Sequence, residues 1–392
     1  MENLFDMTEA EQLGDSKLAM RVYTSRLLGA SQELVLHGGG NTSVKIDDTL
    51  YVKGSGWDLA TIEAPGFSPV DLGTLVAMAE RDALSDAQMV KEQRAALRDQ
   101  SAPNPSIEAI LHAIIPFDFV DHTHADAVVT ISNTPDGKAR IKELYGDNVL
   151  IVDYVMPGFI LAKHIYELTR HADWERLEGI VLLNHGIFTF DDDAKRSYDK
   201  MIALVTKAEA YIAEHTVPPA ASTSVERSDA YFDRLRQTVS ELRGCDIVTV
   251  HLTGNAALEL SNKKNLRQIV MNGELTPEHV IRIKPFPAIV TEEIDASLQR
   301  FVDDYRSYFD TYADASHIAL DPAPRYAIIP GYGAVVFGKD AKEASVIADI
   351  VAHTIDAMLV AEQLGGWKSL SLKDIFDMEY WELEQAKLRP KS

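Results

Sequence analysis

The sequence predicts an α/β protein built as two domains, residues 1–218 and 225–392. Three observations carry that reading. Helical and extended patterns alternate along the first half. The stretch Thr216-Val217-Pro218-Pro219-Ala220-Ala221-Ser222-Thr223-Ser224 has no period and holds a Pro pair, the mark of a linker. Residues 181–212 align without gaps on 328–359, an offset of 147. In that echo Gly186, Phe190, Asp193, Ala194 and Lys195 meet Gly333, Phe337, Asp340, Ala341 and Lys342. Any two β-β-α units share such a pattern. Here the matches cluster at the turn and the helix entry, which favours a duplicated fold.

Taken in order, residues 9–29 read as one amphipathic helix with Leu13, Leu18, Met20, Val22, Leu27 and Leu28 inward. A glycine-rich turn, Gly38-Gly39-Gly40-Asn41-Thr42-Ser43, leads into Val44-Lys45-Ile46. With Thr49-Leu50-Tyr51-Val52-Lys53, and Asp47-Asp48 between, this reads as a hairpin ending at Gly54-Ser55-Gly56. Helices are expected over 71–82 and over 107–115, the second opened by Pro105-Ser106 and closed by Pro116. Val128-Val129-Thr130-Ile131 and Val149-Leu150-Ile151-Val152 read as strands. So do 180–183 and 187–190, followed by a long helix over 194–215.

Apolar residues make up 46% and charged residues 25%, ordinary for a globular soluble chain. A net charge of −22 argues against nucleic acid and anionic membrane as partners, since both are polyanions. The apolar runs read as strand-sized and interrupted by charge, so no membrane span is expected. The acidic N-terminus lacks the apolar core of a signal peptide, and the single Cys245 fits a reducing compartment. Both point to the cytoplasm. One cysteine also excludes a cysteine-based metal site.

The chemistry concentrates in Asp121-His122-Thr123-His124. On a strand, positions i and i+2 share a face, so both imidazoles can address one ion. A buried strand does not take two inward imidazoles without partners. The bland alternative is that they hydrogen-bond Asp121 or Asp126. His185, in Asn184-His185-Gly186, is the third candidate ligand. Three neutral nitrogens with one side left open make a catalytic zinc site. Glu108, at the start of the 107–115 helix, reads either as a helix-dipole carboxylate or as a general base beside the metal. His112, four residues on, shares its face. The loops at 38–43 and 53–56, with Ser106 at a helix N-terminus, make a phosphate cradle, although neither loop alone is specific. In the echo Tyr332 stands where His185 stood, so one metal site per chain is expected, in the first domain.

Taken together, His37-Gly38-Gly39-Gly40-Asn41-Thr42-Ser43-Val44-Lys45, Lys53-Gly54-Ser55-Gly56-Trp57-Asp58-Leu59, Pro105-Ser106-Ile107-Glu108, Asp121-His122-Thr123-His124 and Asn184-His185-Gly186 resemble the class II aldolase/adducin family. The likeness is greatest to the aldolase part of bifunctional rhamnulose-1-phosphate aldolase/alcohol dehydrogenases. It is strong over residues 15–215. The second half, through Thr276-Pro277-Glu278-His279, Ile329-Pro330-Gly331-Tyr332-Gly333 and Glu379-Tyr380-Trp381, looks like the segment such proteins carry before the dehydrogenase. The chain stops at Ser392, so the dehydrogenase part is expected to be absent.

The resemblance implies a three-layer α/β/α fold, with a central, mostly antiparallel sheet flanked by helices. A smaller, degenerate duplicate domain follows it. It implies zinc, with Mn2+ or Co2+ as alternatives, on His122, His124 and His185. Glu108 would be the acid/base. Gly40, Asn41, Ser55, Gly56 and Ser106 match the substrate-phosphate positions. Tyr145, or alternatively Tyr154, would be the proton-donating tyrosine. The implied reaction is retro-aldol cleavage of a ketose 1-phosphate to dihydroxyacetone phosphate and an aldehyde, in a homo-oligomer with sites between subunits.

Two departures stand out. The first turn is richer in glycine than in simple members, and Ile107 replaces a small polar residue. They leave a related, non-phosphorylated polyol open as substrate. The rivals are a sugar-phosphate epimerase or a decarboxylase on the same metal site. The non-enzyme rival is an adducin-like interaction protein, which the three histidines disfavour for the first domain.

Overall fold

The computed structural model describes residues 1–220 and 224–387; residues 221–223 of the expected linker lie outside the described residues. The chain divides into two compact units. The first comprises Met1–Ser132 and Gly137–Tyr211, and the second Asn133–Asp136 and the chain from Ile212 onward.

The first unit runs α1 (Met7–Gln12), α2 (Lys17–Gly29), β1 (Asn41–Ile46), β2 (Thr49–Lys53), β3 (Phe67–Asp71), α3 (Leu72–Ala79), α4 (Asp86–Ala95), α5 (Ala109–Ile114) and β4 (Phe119–Thr123). It continues through α6 (Asp126–Ser132), α7 (Gly137–Tyr145), β5 (Val149–Val152), α8 (Phe159–Thr169), β6 (Gly179–Leu182), β7 (Gly186–Asp191) and α9 (Ala194–His215). The seven strands form one sheet in the order β3-β2-β1-β4-β7-β6-β5. Every neighbouring pair is antiparallel except β5 with β6. Helices α3, α5 and α8 pack on one face through Leu75, Met78, Ile110, Leu111, Leu161 and Ile165, against Val52, Val120, Ile180, Phe188 and Phe190. Helices α2 and α9 reach the opposite face of β4 by polar contacts. This is the α/β/α arrangement the sequence implied.

Two expectations are corrected. Residues 9–29 are not one helix. The chain turns at Gly14, whose φ is +60°, and restarts at α2, where the Ser16 side chain accepts from the Ala19 N–H. Of the six residues expected inward, only Leu28 is fully buried; Arg21, Thr24 and Ser25 form the deep face. Residues 128–131 belong to helix α6, not to a strand. All four are buried, so tertiary packing overrides the strand preference of Val-Val-Thr-Ile.

The second unit runs α10 (Asp229–Arg243), β8 (Val248–Leu252), α11 (Asn255–Ser261), α12 (Leu266–Val270), α13 (Val280–Ile283), β9 (Ala288–Ile289), α14 (Ile294–Tyr312), β10 (Tyr326–Ile329), β11 (Gly333–Gly338), α15 (Ala341–Gln363), α16 (Leu372–Glu379) and α17 (Glu382–Lys387). Its sheet has the order β8-β11-β10-β9. The directions are antiparallel, antiparallel and parallel.

The echo is a true duplication. Strands β10 and β11 and the start of α15 fall 147 residues after β6, β7 and α9. The turns correspond too: His185 N–H donates to Leu182 O at 3.1 Å, and Tyr332 N–H to Ile329 O at 2.9 Å. Each turn holds a left-handed residue, Asn184 at φ 60° and Gly331 at φ 77°. The neighbouring registers agree as well: His122 pairs with Phe188, and His251 pairs with Val335, the residue 147 beyond Phe188. Thus β8-β11-β10-β9 repeats β4-β7-β6-β5.

No membrane-length apolar stretch was expected, and α15 departs from that. It is 23 residues long and apolar enough to match a span by length and composition. Within its 18-residue apolar window, 61% is buried inside the structure. Its Ala344, Ile347, Val351, Ile355 and Met358 are buried, so it serves as a core helix of the duplicate, in the place of α9.

Candidate metal centre

Strand β4 sends Asp121 and His122 to opposite faces of the sheet. On the first face Arg21 Nη2 donates to Asp121 Oδ1 at 2.5 Å, and Ser197 Oγ donates to Oδ2 at 2.5 Å. Neither side chain of the ion pair has any exposure. Arg21 also donates to the Ser43 carbonyl, on β1, at 3.3 Å. Helices α2 and α9 are thereby pinned to the strand that carries the histidines.

On the other face the His122 ring stacks on Phe188, centroids 4.0 Å apart and planes at 10°. Its Nδ1 lies 3.1 Å from the Ile187 carbonyl. A carbonyl only accepts, so Nδ1 carries the proton and Nε2 keeps its lone pair. His124, one residue past the end of β4, still faces the same side: its Nε2 is 3.1 Å from His122 Nε2. The β6–β7 turn brings in His185, whose ring lies 5.2 Å from that of His122 and 5.0 Å from that of His124. One nitrogen from each of the three lies within 4.8 Å of the others. Among the described residues this is the one group of three or more His, Cys, Asp or Glu side chains close enough to share an ion.

Glu108 stands at the N-cap of α5. Its Oε2 is 3.5 Å from His122 Nε2 and its Oε1 is 3.7 Å from His185 Nε2. Asn41 Nδ2 donates to Oε2 at 2.6 Å. A carboxylate only accepts, so the NH2 end of Asn41 faces it and the Asn41 Oδ1 faces His112 Nε2. That oxygen accepts, so His112 carries its proton on Nε2, and its Nδ1 accepts from Ser43 Oγ at 2.8 Å. A chain of hydrogen bonds from β1 through α5 therefore orients one carboxylate.

Burial works to raise the Glu108 carboxyl, but His122, His185, the Asn41 amide and His124 outweigh it and hold it at about 2. Burial drives His122 well below its ordinary value and His112 down to about 3. The result is a buried carboxylate beside His122 and His112, whose rings burial keeps neutral. Such an anion calls for a cation. The spacing fits one. A tetrahedral zinc with nitrogens at about 2.0–2.1 Å holds them roughly 3.3 Å apart, and the two Nε2 atoms stand at 3.1 Å. Without an ion, one of those nitrogens must carry a proton toward the other.

The other expected site residues divide. Gly40, at φ +59°, passes so close to β4 that a Cβ would stand 2.7 Å from the His122 carbonyl. The Ser55 N–H donates to Asn104 O at 2.7 Å, and the Ser106 N–H donates to Lys53 O at 3.0 Å. The 53–56 loop and the Ser106 turn are thus joined, with Ser55 and Gly56 exposed and Ser106 half-buried. The N–H groups of Ser55 and Ser106 are engaged within the protein, which leaves their hydroxyls as the donors these two residues can offer. The Asn41 side chain is likewise engaged, with Glu108 and His112. Lys53, buried, donates from Nζ to Gly38 O at 3.0 Å and puts a cation between the two loops. Its position inside the Lys53-Gly54-Ser55-Gly56 motif was the signal.

Tyr145 is engaged as well. Its hydroxyl donates to Leu204 O, on α9, at 2.8 Å, and burial pushes its pKa up. It is a core tyrosine on α7, with its hydroxyl engaged by the backbone of α9. Tyr154 lies half-buried in the loop after β5.

Gly186 is where β7 passes the imidazoles. A Cβ there would stand 2.4 Å from Thr123 O, 2.9 Å from His122 Cε1 and 3.1 Å from His124 Cδ2. Gly186→Ala is therefore expected to push β4 and the ligands aside and to weaken metal affinity by about 10–100-fold. Competition with a chromogenic chelator measures this, and an unchanged affinity would show that the strands can give way.

The first unit matches the family model described as the Class II Aldolase and Adducin N-terminal domain, over residues 20–212. The second matches the model described as Aldolase class II, second domain, over residues 226–388. The chain belongs to the class II aldolase and adducin family.

Among curated relatives, this class II aldolase family member is 29% identical to the Bacillus subtilis (strain 168) protein named uncharacterized oxidoreductase YuxG. That match takes in 99% of this chain and 60% of the relative, so the chain spans about three-fifths of the length of the curated relative it matches. Solved structures that resemble it include the N-terminal class II aldolase domain of a conserved Thermoplasma acidophilum protein, at 38% identity and a TM-score of 0.49. It covers 54% of this chain and 99% of that one. L-fuculose-1-phosphate aldolase from Thermus thermophilus is 17% identical at a TM-score of 0.34, over 50% of this chain and 95% of that one.

Proposed function

We propose that the chain is a divalent-metal-dependent aldehyde-lyase. It cleaves a ketose 1-phosphate of the rhamnulose-1-phosphate type to dihydroxyacetone phosphate and an aldehyde. The observation that supports this reading is the convergence of His122, His124 and His185 on one point, with the Glu108 carboxylate 3.5 Å from His122 Nε2. An ion held there, zinc before Mn2+ or Co2+, supplies Lewis acidity toward the carbonyl and hydroxyl oxygens of the substrate.

This chain's own residues do the rest. Retro-aldol cleavage breaks a carbon–carbon bond: the hydroxyl that becomes the aldehyde gives up its proton, and the carbon left electron-rich takes up that proton in its place. Glu108 is the group that moves that proton, with Asn41 and His112 fixing which oxygen faces it. Burial of Glu108, His122 and His185 excludes water from the reacting centre. Lys53, with the hydroxyls of Ser55 and Ser106, offers positive charge and donors for the phosphate end. We place the enzyme in a reducing compartment, the cytoplasm, on the single, exposed Cys245.

Stripping the protein with a chelator is expected to bring cleavage of ketose 1-phosphates to background, and zinc is expected to restore it. Product masses decide the reaction. Two fragments support the lyase, whereas one isomer of unchanged mass would make the chain an epimerase. Full activity in metal-free protein would end the reading.

A further inference from the structure

The duplicated sheets differ at one edge. Strand β4 pairs with β7 on one side and antiparallel with β1 on the other. Its counterpart β8 pairs with β11 in the matching register. Among the described residues β8 has no strand on its other side. Among its described residues the second unit lacks the equivalent of the β1-β2-β3 hairpins, so a position that is central in the first sheet is an edge in the second. Exposure agrees: Val248 is 40% exposed and His251 is exposed.

Open edges are ordinarily blunted by lysine, proline or a bulge. Val248-Thr249-Val250-His251-Leu252 has no Lys and no Pro. Its five residues pair consecutively with β11, without a bulge. Three of the five are β-branched, and none is Asp, Glu, Lys or Arg, in a chain of net charge −22. An aromatic trio flanks the strand. The Phe232 ring lies 4.6 Å from His251 and 4.9 Å from Tyr332, and the Tyr332 hydroxyl is bonded to His251 Nδ1 at 2.5 Å.

We propose that the outer edge of β8 is an interface whose occupant is β8 of a second copy of this chain, paired antiparallel about a twofold axis. Three observations favour that occupant. In the first unit the same position takes an antiparallel strand, so the fold accepts one there. Pairing β8 with itself about Val250 sets Val248 opposite Leu252, Thr249 opposite His251, and Val250 opposite its twin. The contact is self-complementary and opposes no like charges. A strongly charged partner would find no Asp, Glu, Lys or Arg in the strand to pair with. The repulsion between two acidic chains lies elsewhere on their surfaces and is screened by salt over about 8–10 Å. Association therefore strengthens as salt rises.

The test is the mass of the full chain in solution by sedimentation or light scattering. The wild type is expected at an even multiple of 43.4 kDa. The double variant Thr249→Glu with His251→Glu sets carboxylates opposite one another across the twofold and is expected to halve the wild-type mass. Thr249→Lys with His251→Lys should do the same. An equimolar mixture of the two should recover the wild-type mass, because the charges then complement. A monomeric wild type, variants that keep the wild-type mass, or variants that fail to recombine would each overturn the proposal. Should the variants not fold, hydrogen exchange on the wild type decides. The amides of 248–252 are expected to gain protection with protein concentration. Concentration-independent exchange there would overturn the interface.

Discussion

Replacing Glu108 with glutamine is expected to lower turnover by about 10²–10⁴-fold while the ion stays bound. Glutamine keeps the size of the side chain and still offers an oxygen to Asn41 Nδ2, which now bonds Glu108 Oε2 at 2.6 Å. It loses the proton acceptor and the buried negative charge. The three imidazoles are untouched, so metal content measured by atomic emission should stay near one ion per chain. Kinetics on the same preparation isolate the carboxylate's part in the chemistry. A variant that kept a tenth or more of wild-type turnover would remove Glu108 from the proton transfer. Loss of the metal together with the activity would make Glu108 a ligand rather than a base.

Replacing Asp121 with alanine is expected to cost about 3–5 kcal/mol of stability, because it strands a buried guanidinium. Arg21 is fully buried, and among the described residues Asp121 is its one carboxylate partner, at 2.5 Å. The remaining partners, Thr24 and Ser25 and the carbonyls of Ser43 and Val120, accept hydrogen bonds but carry no charge. Ser197 also loses its acceptor, so α9 loosens together with α2. Urea unfolding of the variant measures the loss. The paired replacement Arg21→Met with Asp121→Leu should cost less than Asp121→Ala alone, since it leaves no charge unpaired. A loss under about 1 kcal/mol for Asp121→Ala would place the pair in the range of surface ion pairs.

The site is unevenly legible in the sequence. His122 and His124 declare themselves by the two-residue spacing, although His124 lies beyond the strand that the spacing assumed. His185 is legible through the Asn184-His185-Gly186 turn. The chain from Ser43 through His112 and Asn41 to Glu108 is not. Its hydrogen bonds join residues 67 to 71 positions apart, and only the tertiary packing of β1 with α5 brings them together. Tyr145 is illegible in the sequence in another way. Its place in the chain does not reveal that its hydroxyl donates to the Leu204 carbonyl, a contact across 59 positions that only the packing of α7 and α9 makes. The stretch 128–131 failed for a local reason: four residues in a row without polar alternation carry no period, and burial on all sides lets them form a helix.

By itself the sequence determined the class of protein, the β1–β2 hairpin, the β6–β7–α9 unit with its duplicate, and the side chains able to hold an ion. These depend on residue type and short spacing, which survive without knowledge of the fold. The tertiary structure alone decided which groups meet: the carboxylate beside the imidazoles, the guanidinium beneath the strand, and the edge that β8 leaves open. Those are facts of strand order and register, and they join residues that sequence distance keeps apart.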